Sequence, residues 1–142
     1  MNYSSFYKVN MSKDKPDEIT DGEYGKFFRM LNYLSYKNSI AHSNGRTVKY
    51  TELCSKTGFS SVDRFKRFVT KLCKFKMVGK STAGGIDFLF INPAYASRDM
   101  ILNSTIYRMF KDDLSEFLND FQKRKLELEE DGLDISSVYH LE

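Results

Sequence analysis

One stretch limits the architecture of this chain more than any other. Between residues 62 and 74 the apolar side chains Val62, Phe65, Phe68, Val69 and Leu72 recur at helical spacing. Arg64, Arg67, Thr70, Lys71 and Lys74 occupy the positions between them. That period predicts a helix with one buried stripe and one solvated, strongly basic face. What flanks it narrows the choice further. Thr51 is a candidate N-cap, with Glu52 beside the positive helix end, for a short helix that begins at Leu53 and Cys54. Gly58 is placed to stop it in a left-handed conformation. Ser60 or Ser61 then caps the basic helix. Downstream, two extended runs, Met77–Thr82 and Ile86–Ile91, flank Ala83-Gly84-Gly85, a hairpin turn signal. Ile86, Phe88 and Phe90 fall on one face of the second run, and Asn92-Pro93 ends it.

Charge follows the same division. The formal net charge of the 142 residues is only +3. Residues 60–80 hold seven basic residues and one acid, an excess of +6, whereas residues 111–142 hold four basic residues and ten acids, an excess of −6. A basic middle is joined to an acidic end, and the whole-chain sum conceals it.

The remaining chain supplies the frame. Residues 1–20 read as an N-terminal strand or arm, with Tyr7, Val9 and Met11 alternating, followed by a polar loop through Pro16. Asp21 is a candidate cap for a first helix over residues 22–37, with Tyr24, Phe27, Phe28, Leu31 and Leu34 on its apolar face. His42–Arg46 is a turn signal, and Thr47–Tyr50 a minor strand. Residues 101–128 carry Leu102, Ile106, Phe110, Leu114, Phe117 and Phe121 at helical spacing and predict one long C-terminal helix. A helix of about 27 residues is ~40 Å long. Its stripe either completes the core against the first helix or pairs with a second copy through Phe110, Leu114, Phe117 and Phe121. The length favours a homodimer.

The predicted order is helix, minor strand, short helix, tight turn, basic helix, two-strand hairpin. This is the order of a winged helix-turn-helix, here over residues 21–100, preceded by the arm and followed by a helix and acidic tail over 101–142. The fold class expected is α+β, mainly helical with a small hairpin. In such a domain the second helix enters the ~12 Å major groove of B-DNA, where Arg reads guanine edges and Lys meets phosphates. The expected DNA contacts are Ser60, Ser61, Arg64, Lys66, Arg67, Thr70, Lys71 and Lys74 on the helix, and Lys80, Ser81, Thr82 and Gly84 on the hairpin. The bland alternative is a solvated helix face. The near absence of acids and the position after the turn favour contact with double-stranded DNA.

Other chemistries find little support. No nucleophile is paired with a base, so the chain does not read as an enzyme, and no catalytic residue is assigned. His42 and His140 have no ligand at metal-binding spacing, so neither metal nor cofactor is expected. Cys54 and Cys73 are too few for a disulfide framework, and Cys54 reads as core. No apolar run approaches the ~18 residues of a membrane span, and the first residues lack the apolar stretch of a secretory signal. The expectation is a cytoplasmic protein whose partners are double-stranded DNA and a second copy of itself, with no membrane and no small-molecule substrate.

A resemblance sharpens the function. Leu72-Cys73-Lys74-Phe75-Lys76-Met77-Val78 looks like the Leu-x-x-x-Gly-Leu-Val exit of a winged-helix recognition helix, with Lys76 in place of the glycine. Phe6-Tyr7-Lys8-Val9, the first helix, and Phe90-Ile91-Asn92-Pro93 with the nearby Arg98 resemble the RepL-type plasmid and phage replication proteins. Asp99 stands where that pattern has glycine. The resemblance spans about residues 6–110. It implies binding of origin DNA during replication initiation, without catalytic residues. A phage or plasmid transcriptional regulator on the same module is the runner-up, and a protein-interaction adaptor that binds no DNA comes third.

Overall fold

The computed structural model describes residues 8–10, 13–35, 38–98, 101–102, 104–114, 120–130 and 139–140. Its fold is α+β. Helix α1 spans Asp21–Met30. Thr20, not Asp21, is its N-cap: the Glu23 backbone N–H donates to Thr20 Oγ1 at 3.1 Å, and the Thr20 N–H donates to Glu23 Oε1 at 2.9 Å. That reciprocal pair satisfies two donors, whereas Asp21 sits in the first turn, facing the positive helix end. The helix does not continue to residue 37. A 3-10 turn over Leu31–Tyr33 ends it, and the chain reaches Asn38, a buried residue at φ +57.

The turn back matters because residues 38–41 join the sheet. The Ile40 N–H donates to Leu89 O at 2.8 Å and the Ile91 N–H to Asn38 O at 2.7 Å. Ser39 bridges Phe90 in antiparallel fashion. Asn38 is completely buried, yet its Nδ2 donates to Ile91 O and Ala96 O, both at 2.9 Å, and its Oδ1 accepts from the Arg98 N–H at 3.3 Å. A buried amide that meets its partners in this way costs little and fixes three strands together. Of the predicted minor strand at 47–50, only Thr47 pairs, with Ala41.

Helix α2, Tyr50–Thr57, is capped by Lys49, two residues before the expected Thr51, and Lys49 forms no side-chain cap bond. Gly58 ends it at φ +80. The Gly58 N–H donates to Ser55 O at 3.3 Å and the Phe59 N–H to Cys54 O at 3.1 Å. This is the Schellman pattern. After Ser60, Ser61 caps helix α3, Val62–Lys74, its hydroxyl accepting from the Arg64 N–H at 3.2 Å. The far end of α3 repeats the pattern. Lys76 N–H donates to Cys73 O at 3.1 Å, and Met77 N–H to Leu72 O at 3.0 Å. Here the left-handed residue is Lys76, at φ +61.

Strands β2, Val78–Ala83, and β3, Ile86–Ile91, form an antiparallel hairpin in full register, from Val78 opposite Ile91 to Ala83 opposite Ile86. Gly84 and Gly85 make the turn, both with positive φ. Strand β1, Lys8–Val9, pairs with β4, Ala96–Ser97.

Two clusters of buried side chains share the hairpin. The larger gathers Phe27, Met30, Leu53, Phe65, Leu72, Met77, Leu89 and Ile91 between the three helices and one hairpin face. The opposite face carries Ile86, Phe88 and Phe90. Ile86 is exposed and Phe88 half-buried, and Phe90 packs against the second cluster of Ile106, Tyr107, Phe110, Leu114 and Leu126.

The single helix expected over 101–128 is not present among the described residues. Ile101–Leu102 is strand β5, paired with β6, Tyr139–His140. Helices α4, Ser104–Met109, α5, Lys111–Leu114, and α6, Asp120–Glu130, follow β5. An apolar stripe that wraps over the hairpin must change direction, which a straight helix cannot do. The approach is close: Gly79 lies opposite Phe90, and a Cβ there would fall 2.7 Å from Met109 Sδ and 3.0 Å from Phe110 Cζ.

Candidate nucleic-acid interface

Helix α3 divides as its sequence demands. Phe65, Phe68, Val69 and Leu72 are buried, and Arg64, Lys66, Arg67, Thr70 and Lys74 are exposed. Helix α1 holds both helices of the pair, α3 through Lys71 and α2 through Thr57. Lys71 Nζ meets both Glu23 carboxylate oxygens, at 2.9 and 3.2 Å, and Lys26 Nζ donates to Thr57 O at 2.8 Å, at the end of α2. Burial raises the Glu23 carboxyl, but the Thr20 backbone N–H and the Lys71 ammonium outweigh that and hold it below its ordinary 4.5. Lys71 is therefore committed to the fold, unlike its neighbours. Arg64 and Arg67 form no ion pair among the described residues.

The hairpin side has its own network. Tyr50 Oη donates to Asp87 Oδ2 at 3.0 Å, and Thr82 Oγ1 donates to Asp87 Oδ1 at 2.7 Å. These two bonds, the Thr82 bond foremost, hold the half-buried Asp87 carboxyl low. Burial, then Asp87, pushes the Tyr50 phenol well up. Lys66 Nζ lies 5.9 Å from the centre of the Tyr50 ring. Of the expected hairpin contacts, Lys80 is exposed, Ser81 half-buried, Thr82 bonded to Asp87, and Gly84 exposed at the tip. On the helix, Thr70 Oγ1 donates to Lys66 O at 3.0 Å, and Ser60 and Ser61 are exposed at its start.

Several expected residues have structural work. Asn92, completely buried, donates through Nδ2 to Lys76 O and Asp113 Oδ2, both at 2.7 Å, and accepts at Oδ1 from the Ala94 N–H at 2.9 Å. Arg98 donates from Nη1 to Leu34 O at 3.1 Å. Among the proposed dimer residues, Phe110 and Leu114 are covered by this chain's own second cluster, Phe121 is 65% exposed, and Phe117 lies outside the described residues.

The fold also makes pairings that spacing did not announce. His42 Nε2 lies 3.2 Å from Glu52 Oε1, and Tyr33 Oη donates to Glu52 Oε2 at 3.0 Å. Among the described residues no group of three or more His, Cys, Asp or Glu side chains gathers to hold a metal. Cys54 and Cys73 are both free thiols, the first buried. No helix among the described residues is long and apolar enough to cross a membrane.

Sequence reasoning passed over Lys76. The sequence places it in the basic block and not among the expected contacts, although a lysine in place of a glycine is the available signal. Lys76 lines a cleft of about 450 Å³ with Thr70, Cys73, Lys80 and Arg108. Burial raises the Cys73 thiol, and the nearby Lys80 and Lys76 oppose that rise. No known family, curated protein or solved structure matches the chain.

Proposed function

We propose that this chain is a sequence-specific double-stranded DNA-binding protein built on a winged helix-turn-helix, with α3 as the recognition helix and the β2–β3 hairpin as the wing. The observation that carries the reading is the outward face of α3. Arg64 and Arg67 stand exposed one turn apart, without an ion pair among the described residues, next to a serine-capped helix start. Cations that stabilise a fold find carboxylates, as Lys71 does. Cations left without them are available to phosphate oxygens and guanine edges. The order α1, a short sheet edge at 38–41, α2, a tight link, α3 and hairpin supports the same reading.

Within that reading, origin binding in plasmid or phage replication initiation is the role the RepL-type resemblance favours, with transcriptional regulation second. Mapping the bound sites in cells to an origin or to promoters separates the two. Fluorescence anisotropy with a labelled duplex tests binding itself. Affinity falls steeply with salt in a protein that neutralises phosphates. Replacing Arg64 and Arg67 together by alanine should weaken binding by about tenfold to a hundredfold. Undiminished affinity in that variant would reject the recognition-helix assignment. Absence of binding to any duplex at low salt would leave the adaptor reading. Homodimerisation is part of the proposal, with Phe121 as its exposed anchor, and a sedimentation mass of 16.6 kDa would refute it.

A further inference from the structure

The cleft between α3, β2 and α4 has the chemistry of an anion seat. Lys76 of the turn after α3, Lys80 of β2 and Arg108 of α4 line it, Thr70 adds a hydroxyl at the rim, and among the described residues no carboxylate lines it. Its volume of about 450 Å³ admits a phosphodiester group. Thr70 belongs at once to this cleft and to the exposed face of α3, so the two surfaces are continuous.

Lys76 is the informative member. It occupies the left-handed position that ends α3, at φ +61, where glycine fits without steric cost. Both of its backbone groups are pinned, the N–H by Cys73 O at 3.1 Å and the carbonyl by Asn92 Nδ2 at 2.7 Å. The direction in which its side chain leaves the backbone is therefore fixed. Helix termination explains a glycine here; it does not explain a lysine. Strained residues of this kind concentrate where a side chain is needed for function.

We infer that this cleft seats a backbone phosphate of the bound DNA between recognition helix and wing, with Lys76 and Lys80 as its cationic ligands. The inference rests on the DNA-binding reading above and adds a contact that reading does not contain. A phosphate held there fixes the register of α3 in the groove without reading a base.

The test compares wild type, Lys76→Gly, Lys76→Arg and the Arg64→Ala/Arg67→Ala pair on one labelled mixed-sequence duplex across a potassium chloride series. Lys76→Gly keeps the left-handed turn and removes only the charge. Its log Kd against log salt should lose about 0.9 of slope, and its affinity should fall about threefold to fivefold. Lys76→Arg should restore both, and the unfolding temperature of Lys76→Gly should be no lower than that of wild type. An unchanged slope in Lys76→Gly, while the arginine pair weakens binding, overturns the phosphate seat and leaves the DNA-binding reading standing. Lys76-dependent binding of inorganic phosphate at matched ionic strength, with the DNA slope unaltered, overturns it in favour of a free anion. Failure of wild type to bind any duplex overturns both.

Discussion

Helices α2 and α3 end in the same hydrogen-bond pattern around different residues. At Gly58 the turning residue has no side chain, φ is +80, and a Cβ would meet only the flexible ends of Lys26 and Arg29, at 3.5 and 3.6 Å. At Lys76 a long cationic side chain takes the same region of backbone space. A left-handed residue other than glycine costs about 1–2 kcal/mol. The end of α3 tolerates this because Asn92 grips the Lys76 carbonyl from a buried position and Met77 is sealed in the core next to Leu72. The end of α2 has Lys26 on the preceding carbonyl, at a partly exposed site. One stop is made by residue choice, the other by its surroundings. That is how a basic side chain is kept at a place where the local backbone argues for glycine.

The comparison breaks most severely if Asn92 is removed. Asn92→Ala strands Lys76 O and the buried Ala94 N–H without their amide partner, while Asp113 keeps its ion pair with Lys13, and should cost about 3 kcal/mol, from ~1–3 kcal/mol per buried group left unsatisfied. Urea unfolding should show a lower midpoint at an unchanged m-value. Gly58→Ala should come next, at about 1–2 kcal/mol, because nothing around that turn compensates for left-handed strain. If Gly58→Ala costs more than Asn92→Ala, surroundings do not hold the second stop as described. Lys76→Gly should move the other way and raise stability by about 0.5–1 kcal/mol, the relief of strain being partly offset by the greater freedom of glycine in the unfolded chain. A lowered unfolding temperature would contradict it.

The smallest effect concerns the last turn of α3, which Lys71 ties to Glu23 of α1. Because the folded Glu23 carboxyl lies below 4.5, it stabilises the fold above that pH, and the contribution is lost as pH falls through the folded value. Glu23→Gln should flatten the acid side of the stability profile by under about 1 kcal/mol, as for other partly exposed pairs. An equally steep acid limb in that variant would show that the pair does not anchor the helix.

What the sequence disclosed follows range. The stripe of α3, the Gly58 stop, the Ser61 cap and the Gly84-Gly85 turn are local, since each depends on residues within a few positions. The cap of α1 is Thr20 where the spacing points to Asp21, because Glu23, three residues beyond Thr20, closes a reciprocal pair with it. The residues that spacing could not place answer to distant partners. Asn38 looks like a helix end until Ile91 and Ala96 are beside it. The stripe at 101–128 is periodic enough for one helix, but Phe90 and Gly79 require it to fold over the hairpin. Most of the candidate interface was legible because an exposed basic face needs no tertiary partner. Lys76 and its cleft were not, because α3, β2 and α4 meet only in three dimensions.

The close contact at Gly79 has a mechanical consequence. The hairpin is a shared wall, with Leu89 and Ile91 on one side and Phe90 on the other. With Met109 and Phe110 seated directly on its backbone, the sheet cannot pivot about α3 without dragging α4 along. A shift of α4 is thereby felt first at the base of the hairpin, where Gly79 lies, and not at its Gly84-Gly85 tip.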